Sequence, residues 1–294
     1  MTRYNQGMDA IETRITRMLG IRYPIVVAPM FLVSNRPLLE AVARAGAVGL
    51  VPTLNFRTHA DYRAFLEAWP AGLAFGVNLI LKDNPRLAED LAATVEHRVP
   101  LVVTSLGDPT PVIEAVHGYG GVVWCDVVGL RHAQKAAAAG ADALVAVAAG
   151  AGGHAGTTSP FVLAPWLREE TGLPVLVAGG LSTGAQLLAA LALGDGGYFG
   201  TRFIATREAG APEAYKQALV QARPEDVVYT PEVTGVPANF LKGSLERFRA
   251  GGSKAWKDVW SAGHGVALVR DVPPAAELVA RLVQEYREAK AQLP

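Results

Sequence analysis

Cysteine is nearly absent from this 294-residue chain: Cys125 is the only one. No disulfide can therefore form within the chain, and no cysteine-based metal site is available. Net charge is absent too, with 27 basic residues balancing 27 acidic ones and no long block of either sign. A nucleic-acid-binding surface normally needs a basic stripe, so that class of partner is not expected. Long apolar runs are also missing. No stretch reaches the roughly 18 uncharged residues that span a bilayer. Before Gly20, Glu12, Arg14 and Arg17 break up any leader-like segment. The expectation is a soluble cytoplasmic protein with no membrane association.

Half of the residues are hydrophobic, enough for a large core. They fall into short runs, each closed by Gly, Pro or Asn and followed by a helical pattern. The runs are Ile25–Met30, Val48–Leu54, Phe75–Leu81, Leu101–Gly107, Gly121–Val128, Ala143–Ala149, Pro174–Gly180 and Gly197–Gly200. Between them lie segments such as VSNRPLLEAVARAGA, where Ser34 or Asn35 can cap a helix, Pro37 suits its first turn and Gly46 ends it. Short apolar strands alternating with helices indicate parallel βα units. Eight such strands with no evident edge favour a closed barrel over an open sheet. The predicted fold is therefore α/β, a (β/α)8 TIM barrel over 1–204 and 256–294. A small, mainly helical cap over 205–255 is inserted after strand 8. Ala10–Leu19 reads as a helix plugging the barrel bottom, Pro212–Gln221 and Asn239–Arg249 as cap helices, the latter ended by Gly251 and Gly252, and Val272–Gln292 as a closing helix.

In this fold the chemistry sits at the C-terminal ends of the strands, and phosphate commonly binds the loops after strands seven and eight. Both loops carry glycine here: Gly179-Gly180, followed by Ser182-Thr183 as a helix cap, and Gly200-Thr201. Without a Cβ, backbone N–H groups can approach phosphate oxygens closely, and the Thr201 hydroxyl adds a donor. After strand six runs AAGAGGHAGTTSP, Ala148–Pro160, with His154 as its sole titratable side chain. Such a loop packs few side chains of its own. It can lie against a planar ligand with the imidazole over it. Asn78, at the end of an otherwise apolar strand, needs either a ligand or a buried polar partner, and Asn55 is a weaker case of the same kind. Asp126 points into the mouth or pairs with an arginine. Lys82, beside Asp83 and Asn84, reads as a wet loop rather than a Schiff-base site, Cys125 as a buried thiol, and Arg202 as an ion-pair partner.

Taken together, these segments resemble the nitronate monooxygenase family, formerly the 2-nitropropane dioxygenases, which includes flavin-dependent enoyl-acyl-carrier-protein reductases. The resemblance is carried by GIRYPIVVAPM, GVNLI, AGAGGHAG, AGGLSTG, GTRF and VTGVPANFL, spread over nearly the whole chain. It implies FMN in the barrel mouth, lined by Ala28, Pro29 and Met30 through backbone groups and hydrogen-bonded by Asn78. Gly179, Gly180, Gly200 and Thr201 would hold the phosphate, and Asp126, Ala149, Gly150 and Gly153 would lie along the cofactor. His154 would face the substrate as the catalytic residue, with Ser261, Gly263 and His264 of the tail closing over it. No metal is expected. The partners would be a small-molecule substrate and O2, with a homodimer left open.

Two departures from the family pattern bear on the substrate. Ala148, Ala149 and Ala151 stand where many members carry Gln and Glu, and His264 stands where many carry Gln in the tail motif. The expected reaction is oxidation of alkyl nitronates to carbonyl compounds and nitrogen oxides. The alternatives are NAD(P)H-dependent reduction of quinones or enoyl thioesters, and a flavin- or phosphometabolite-binding barrel without turnover.

Overall fold

A computed structural model describes residues 10–251 and 258–293. Its strands are β1 (Ile25–Val27), β2 (Val48–Pro52), β3 (Phe75–Ile80), β4 (Leu101–Ser105), β5 (Val122–Val127), β6 (Ala143–Val147), β7 (Gly153–His154), β8 (Val175–Ala178), β9 (Gly196–Phe199), β10 (Val227–Thr230) and β11 (Ala238–Leu241). A closed parallel barrel runs β1-β2-β3-β4-β5-β6-β8-β9, with β9 returning to β1 through Ile25–Gly197 and Val27–Phe199. It is a TIM barrel, and its seventh and eighth strands are β8 and β9. The sequence runs overshoot the strands by one to three residues, because the last apolar residues of several runs already belong to the exit loops.

Strand alternation divides the apolar residues into two cores. Val26, Leu50, Val103, Trp124, Val145, Leu176 and Tyr198 face inward and fill the barrel. Their neighbours, including Val27, Val51, Val102, Cys125, Leu144 and Val177, face the surrounding helices. The N-terminal helix closes the bottom. Ile15 is fully buried in the inner core, and the Trp124 indole N–H donates to Met18 Sδ at 3.2 Å. That helix spans Arg14–Leu19 rather than starting at Ala10, because Thr13 is its N-cap, accepting from the Thr16 N–H. The C-terminal helix, Ala275–Ala291, packs across the helix Gly184–Leu193. A Cβ at Gly184 would lie 2.2 Å from Leu282 O, so only glycine permits that approach.

The segment after β9 differs from the expected pattern in one respect. Helices form at Glu213–Gln221 and Lys242–Arg249, but Ala238–Leu241 is a strand where a helix from Asn239 was predicted. β11 pairs antiparallel with β10 on one side and with β7 on the other. The cap therefore grips the loop that leaves β6. Ladder pairing decides this against the local helical pattern, since β11 supplies the partner that both edge strands need. Gly252, the second expected terminator of the cap helix, lies outside the described residues. None of the described helices is long and apolar enough to cross a membrane.

Candidate active site

Alternation carries the inward face up to the mouth. Continuing from Leu101 and Val103 it reaches Ser105, from Trp124 it reaches Asp126, and β3 presents Asn78 opposite Val103, one inward step below Ser105. These three join into one chain. The Asn78 amide donates to Val103 O at 3.0 Å and to Ser105 Oγ at 2.9 Å, and Ser105 Oγ donates to Asp126 Oδ2 at 2.6 Å. Asn78 has thus found a buried polar partner. The other carboxylate oxygen, Asp126 Oδ1, is buried without a hydrogen-bond partner, as is the Tyr198 hydroxyl of β9. Burial pushes the Asp126 carboxyl up to about 6, against the lowering effect of the Ser105 hydrogen bond. Among the described residues no arginine pairs with it.

On the opposite side of the mouth the backbone is stripped of Cβ atoms. Gly179 (φ 134°) and Gly180 (φ 74°) follow β8 in conformations that disfavour other residues. The loop is held in place from behind. Gln186 Nε2 donates to Gly180 O at 2.8 Å, while Gln186 Oε1 accepts from the Ser182 and Thr183 N–H groups. A Cβ built on Gly180 would meet nothing within 4 Å, and one on Gly200 would meet only Ala28 Cβ at 3.8 Å. Both glycines therefore border open space. Thr201 Oγ1 accepts from the Gly263 N–H at 2.9 Å, which leaves its own proton available to donate.

The glycine-rich loop after β6 closes against these elements. A Cβ on Gly179 would lie 2.8 Å from Ala149 O, and one on Gly152 would lie 3.2 Å from Thr201 Oγ1. The tail docks on the same loop. His264 N–H donates to Gly150 O at 2.9 Å, and a Cβ on Gly263 would lie 2.3 Å from Gly150 O. His264 itself is exposed. Ser261 bridges to Phe240 of β11 and its carbonyl accepts from the Tyr215 hydroxyl, whose ring stacks on Trp260 at 5.0 Å. The Asn239 side chain donates to Ala151 O at 2.7 Å from a buried position.

His154 lies on β7, opposite Ala238. Its Nε2 is 3.4 Å from Thr234 Oγ1 of the cap, and burial lowers its pKa from the ordinary 6.5. Gly153 (φ 69°) pairs with Asn239. Ala28, Pro29 and Met30 follow β1, but the Ala28 N–H is engaged by Phe199 O at 2.8 Å and the Met30 N–H by Ser34 Oγ at 3.0 Å. Proline has no N–H, so what this segment can present is carbonyl oxygen and apolar surface. Asn55 is satisfied within the protein, pinning the same turn through Leu32 N, Met30 O and Ser34 O.

Ser105, Tyr198, Thr234 and Asn239 did not emerge from the sequence. Ser105 sits within the run Leu101–Gly107, one place before Leu106, and only the barrel register sets it beside Asp126. Elsewhere the side chains are structural. Arg202 is buried and pairs with Asp271 at 2.6 Å. Cys125 is buried, accepts from Thr104 at 3.2 Å, and its thiol is pushed up to about 11 by burial. Lys82 is exposed. Among the described residues no cluster of His, Cys, Asp or Glu is arranged to hold a metal.

Known proteins are similar to this chain over most of its length. A Mycobacterium tuberculosis protein named (3aS,4S,5R,7aS)-5-hydroxy-7a-methyl-1-oxo-octahydro-1H-indene-4-carboxyl-CoA dehydrogenase is 30% identical, the match covering 83% of this chain and 70% of that one. FabK from Thermotoga maritima superposes with a TM-score of 0.87 at 28% identity, covering 96% of this chain and 98% of its own. The nitroalkane oxidase of Streptomyces ansochromogenes gives a TM-score of 0.82 at 27% identity, covering 95% and 99%. The nitronate monooxygenase family model matches residues 56–250, from the turn after β2 through the cap helix. Because that span covers about two thirds of the chain, including β3 to β9, the glycine-rich His154 loop and the cap sheet, the chain belongs to the nitronate monooxygenase family and is an oxidoreductase of that kind.

Proposed function

We propose that the protein is an FMN-dependent oxidoreductase that oxidises alkyl nitronates with O2 to carbonyl compounds and nitrogen oxides. The observation that carries this reading is the convergence of the loops after β6, β8 and β9 with the tail. They form one glycine-lined wall, opposite the Asn78–Ser105–Asp126 chain. The residues fit FMN. Gly180 and Gly200 border open space that side chains would fill. Thr201 has a hydroxyl proton to donate, and Asp126 Oδ1 is a buried polar atom without a protein partner. Gly179, Gly180, Gly200 and Thr201 would hold the phosphate, and the inward residues of β3 to β5 would face the ring. FMN would supply the electron transfer between substrate and O2.

The chain's own residues bind, orient and exclude. His154, kept neutral by burial, accepts a proton from the carbon beside the nitro group of a neutral nitroalkane. With a nitronate no proton need be removed, and His154 only orients the anion. The cap sheet and tail shield this step from bulk water. The test is spectroscopic. Purified protein should be yellow and should release FMN on denaturation. Gly180→Ala should weaken FMN binding, because its Cβ would project into the open cradle and its φ would be strained. A colourless protein that takes up no added FMN would refute the cofactor assignment.

A second reading is favoured by the CoA thioester and redox chemistry in the name of the Mycobacterium tuberculosis relative: NAD(P)H-dependent reduction of an enoyl thioester or quinone. Anaerobic mixing with NADH separates the two, since rapid bleaching of the flavin favours the reductase and an unchanged spectrum favours the nitronate oxidase.

A further inference from the structure

Apolar side chains are distributed unevenly over the surface. Eleven large ones are exposed among the described residues, and seven of these lie on the loops leaving β1, β4 and β5 or on the first two turns of the helix Pro160–Thr171. None lies on the loops that enter the strands at the opposite end. Scattered exposed apolar residues are ordinary, whereas their gathering at one end marks a binding surface. Phe31 and Leu32 stand after β1, Leu106 after β4, Val128 after β5, and Phe161 and Val162 at the helix start, Phe161 being 69% exposed.

A second, independent feature singles out two of them. Leu32 (φ 59°) and Leu106 (φ 60°) hold the left-handed backbone conformation. Glycine or asparagine takes that conformation readily and leucine does not. Strain of this kind persists where the surrounding structure imposes it, commonly at ligand contacts. Here the imposing contacts are visible. Leu32 N–H donates to Asn55 Oδ1 at 2.9 Å, and a Cβ at Gly107 would lie 2.6 Å from Leu81 Cβ, which locks the turn after Leu106 onto the exit of β3. Leu106 also follows directly on Ser105, the middle member of the polar chain in the mouth. Beyond it, a Cβ at Gly156 would lie 3.2 Å from Val128 Cβ, setting the loop after β6 against the loop after β5.

We infer that Leu32 and Leu106, with Val128 and Phe161, form an apolar rim that selects substrates with an extended hydrocarbon skeleton projecting from the barrel mouth. The inference rests on the reading of that mouth as the active site. A small nitroalkane would leave the rim wet, whereas a chain of several methylenes or a fused hydrocarbon ring system would cover it. Polar recognition stays at the Asn78–Ser105–Asp126 and His154 level, and the rim adds contact area for the apolar remainder.

The experiment uses the flavin-loaded protein and two homologous series. Straight-chain carboxylates of two to eight carbons, which cannot be oxidised as nitronates are, report binding through perturbation of the flavin spectrum. The nitronates of nitroethane to 1-nitrooctane report anaerobic flavin reduction. Each added methylene should tighten carboxylate binding by about two- to fourfold until the rim is covered. Leu106→Gly and Leu32→Gly should flatten this dependence while leaving thermal stability equal or higher, because glycine relieves the backbone strain. Binding that ignores chain length would overturn the inference. So would a concentration-dependent dimer that Phe161→Ser dissociates, since a second copy would then be what covers the rim. If chain length tunes carboxylate binding but no nitronate reduces the flavin, the rim stands and the nitronate reading falls. Reduction by all nitronates at equal kcat/KM gives the converse.

Discussion

His154 and Ala238 face each other across an antiparallel pairing, so the candidate base belongs to the cap sheet as much as to the barrel. The loop that carries it is anchored by β11 on one edge and by the tail on another. Motion of the cap and geometry of the imidazole are therefore coupled.

That coupling is concentrated in Asn239. Its side chain donates to Ala151 O in a buried setting, next to the Gly153 pairing. Asn239→Ala should leave the Ala151 carbonyl unsatisfied and cost about 1–3 kcal/mol of stability. Hydrogen exchange over residues 150–154 should rise, and turnover should fall while FMN stays bound. Unchanged exchange in that loop would show that the cap does not hold it.

His154→Ala should leave FMN content and fold intact, because the loops proposed to hold the phosphate follow β8 and β9, away from β7. With neutral nitroalkanes, flavin reduction should slow by on the order of 10² to 10⁴, and with preformed nitronates by much less. The pH dependence has a definite sign. Burial lowers the His154 pKa, so its basic form persists below the ordinary 6.5. The acid limb of kcat/KM for a neutral nitroalkane should fall at a pH under that value and vanish in the variant. Loss of FMN instead would place His154 among the cofactor ligands.

Asp126 makes a prediction about stability. Its folded value, about 6, lies above its ordinary 3.8. The folded state therefore binds more protons than the unfolded one between those values, and stability declines as pH rises from about 4 to about 6. Asp126→Asn keeps the shape and removes the charge. The variant should match the wild type near pH 4 and exceed it near pH 8, by about 2–3 kcal/mol at most. Chemical denaturation at the two pH values measures the difference, and an equal offset at both would show that Asp126 does not titrate in this window. A ligand that donates to Oδ1 should narrow the gap.

Much of this was legible in the chain itself. Short, near-continuous apolar runs separated by capped helices determine parallel βα units, and eight of them without an edge determine a closed barrel. The barrel then dictates which loops form the mouth, so Gly179-Gly180, Gly200-Thr201 and His154 could be picked out before any contact was known. Glycine and histidine are informative there because their special properties are local: a missing Cβ, and a proton exchanged near neutral pH. What only the tertiary structure decided were relations between distant segments. Ser105 lies beside Asp126 because strand register sets it there. Asn239 lies in a strand because β7 and β10 offer it ladders on both edges, which outweighs a helical pattern worth a few tenths of a kcal/mol per residue. Leu32 is held in the left-handed region by Asn55, and the turn after Leu106 by the packing of Gly107 on Leu81, residues more than twenty positions away. Leucine carries no local mark of that strain, since backbone conformation at a loop is imposed by packing around it rather than by the residue it holds.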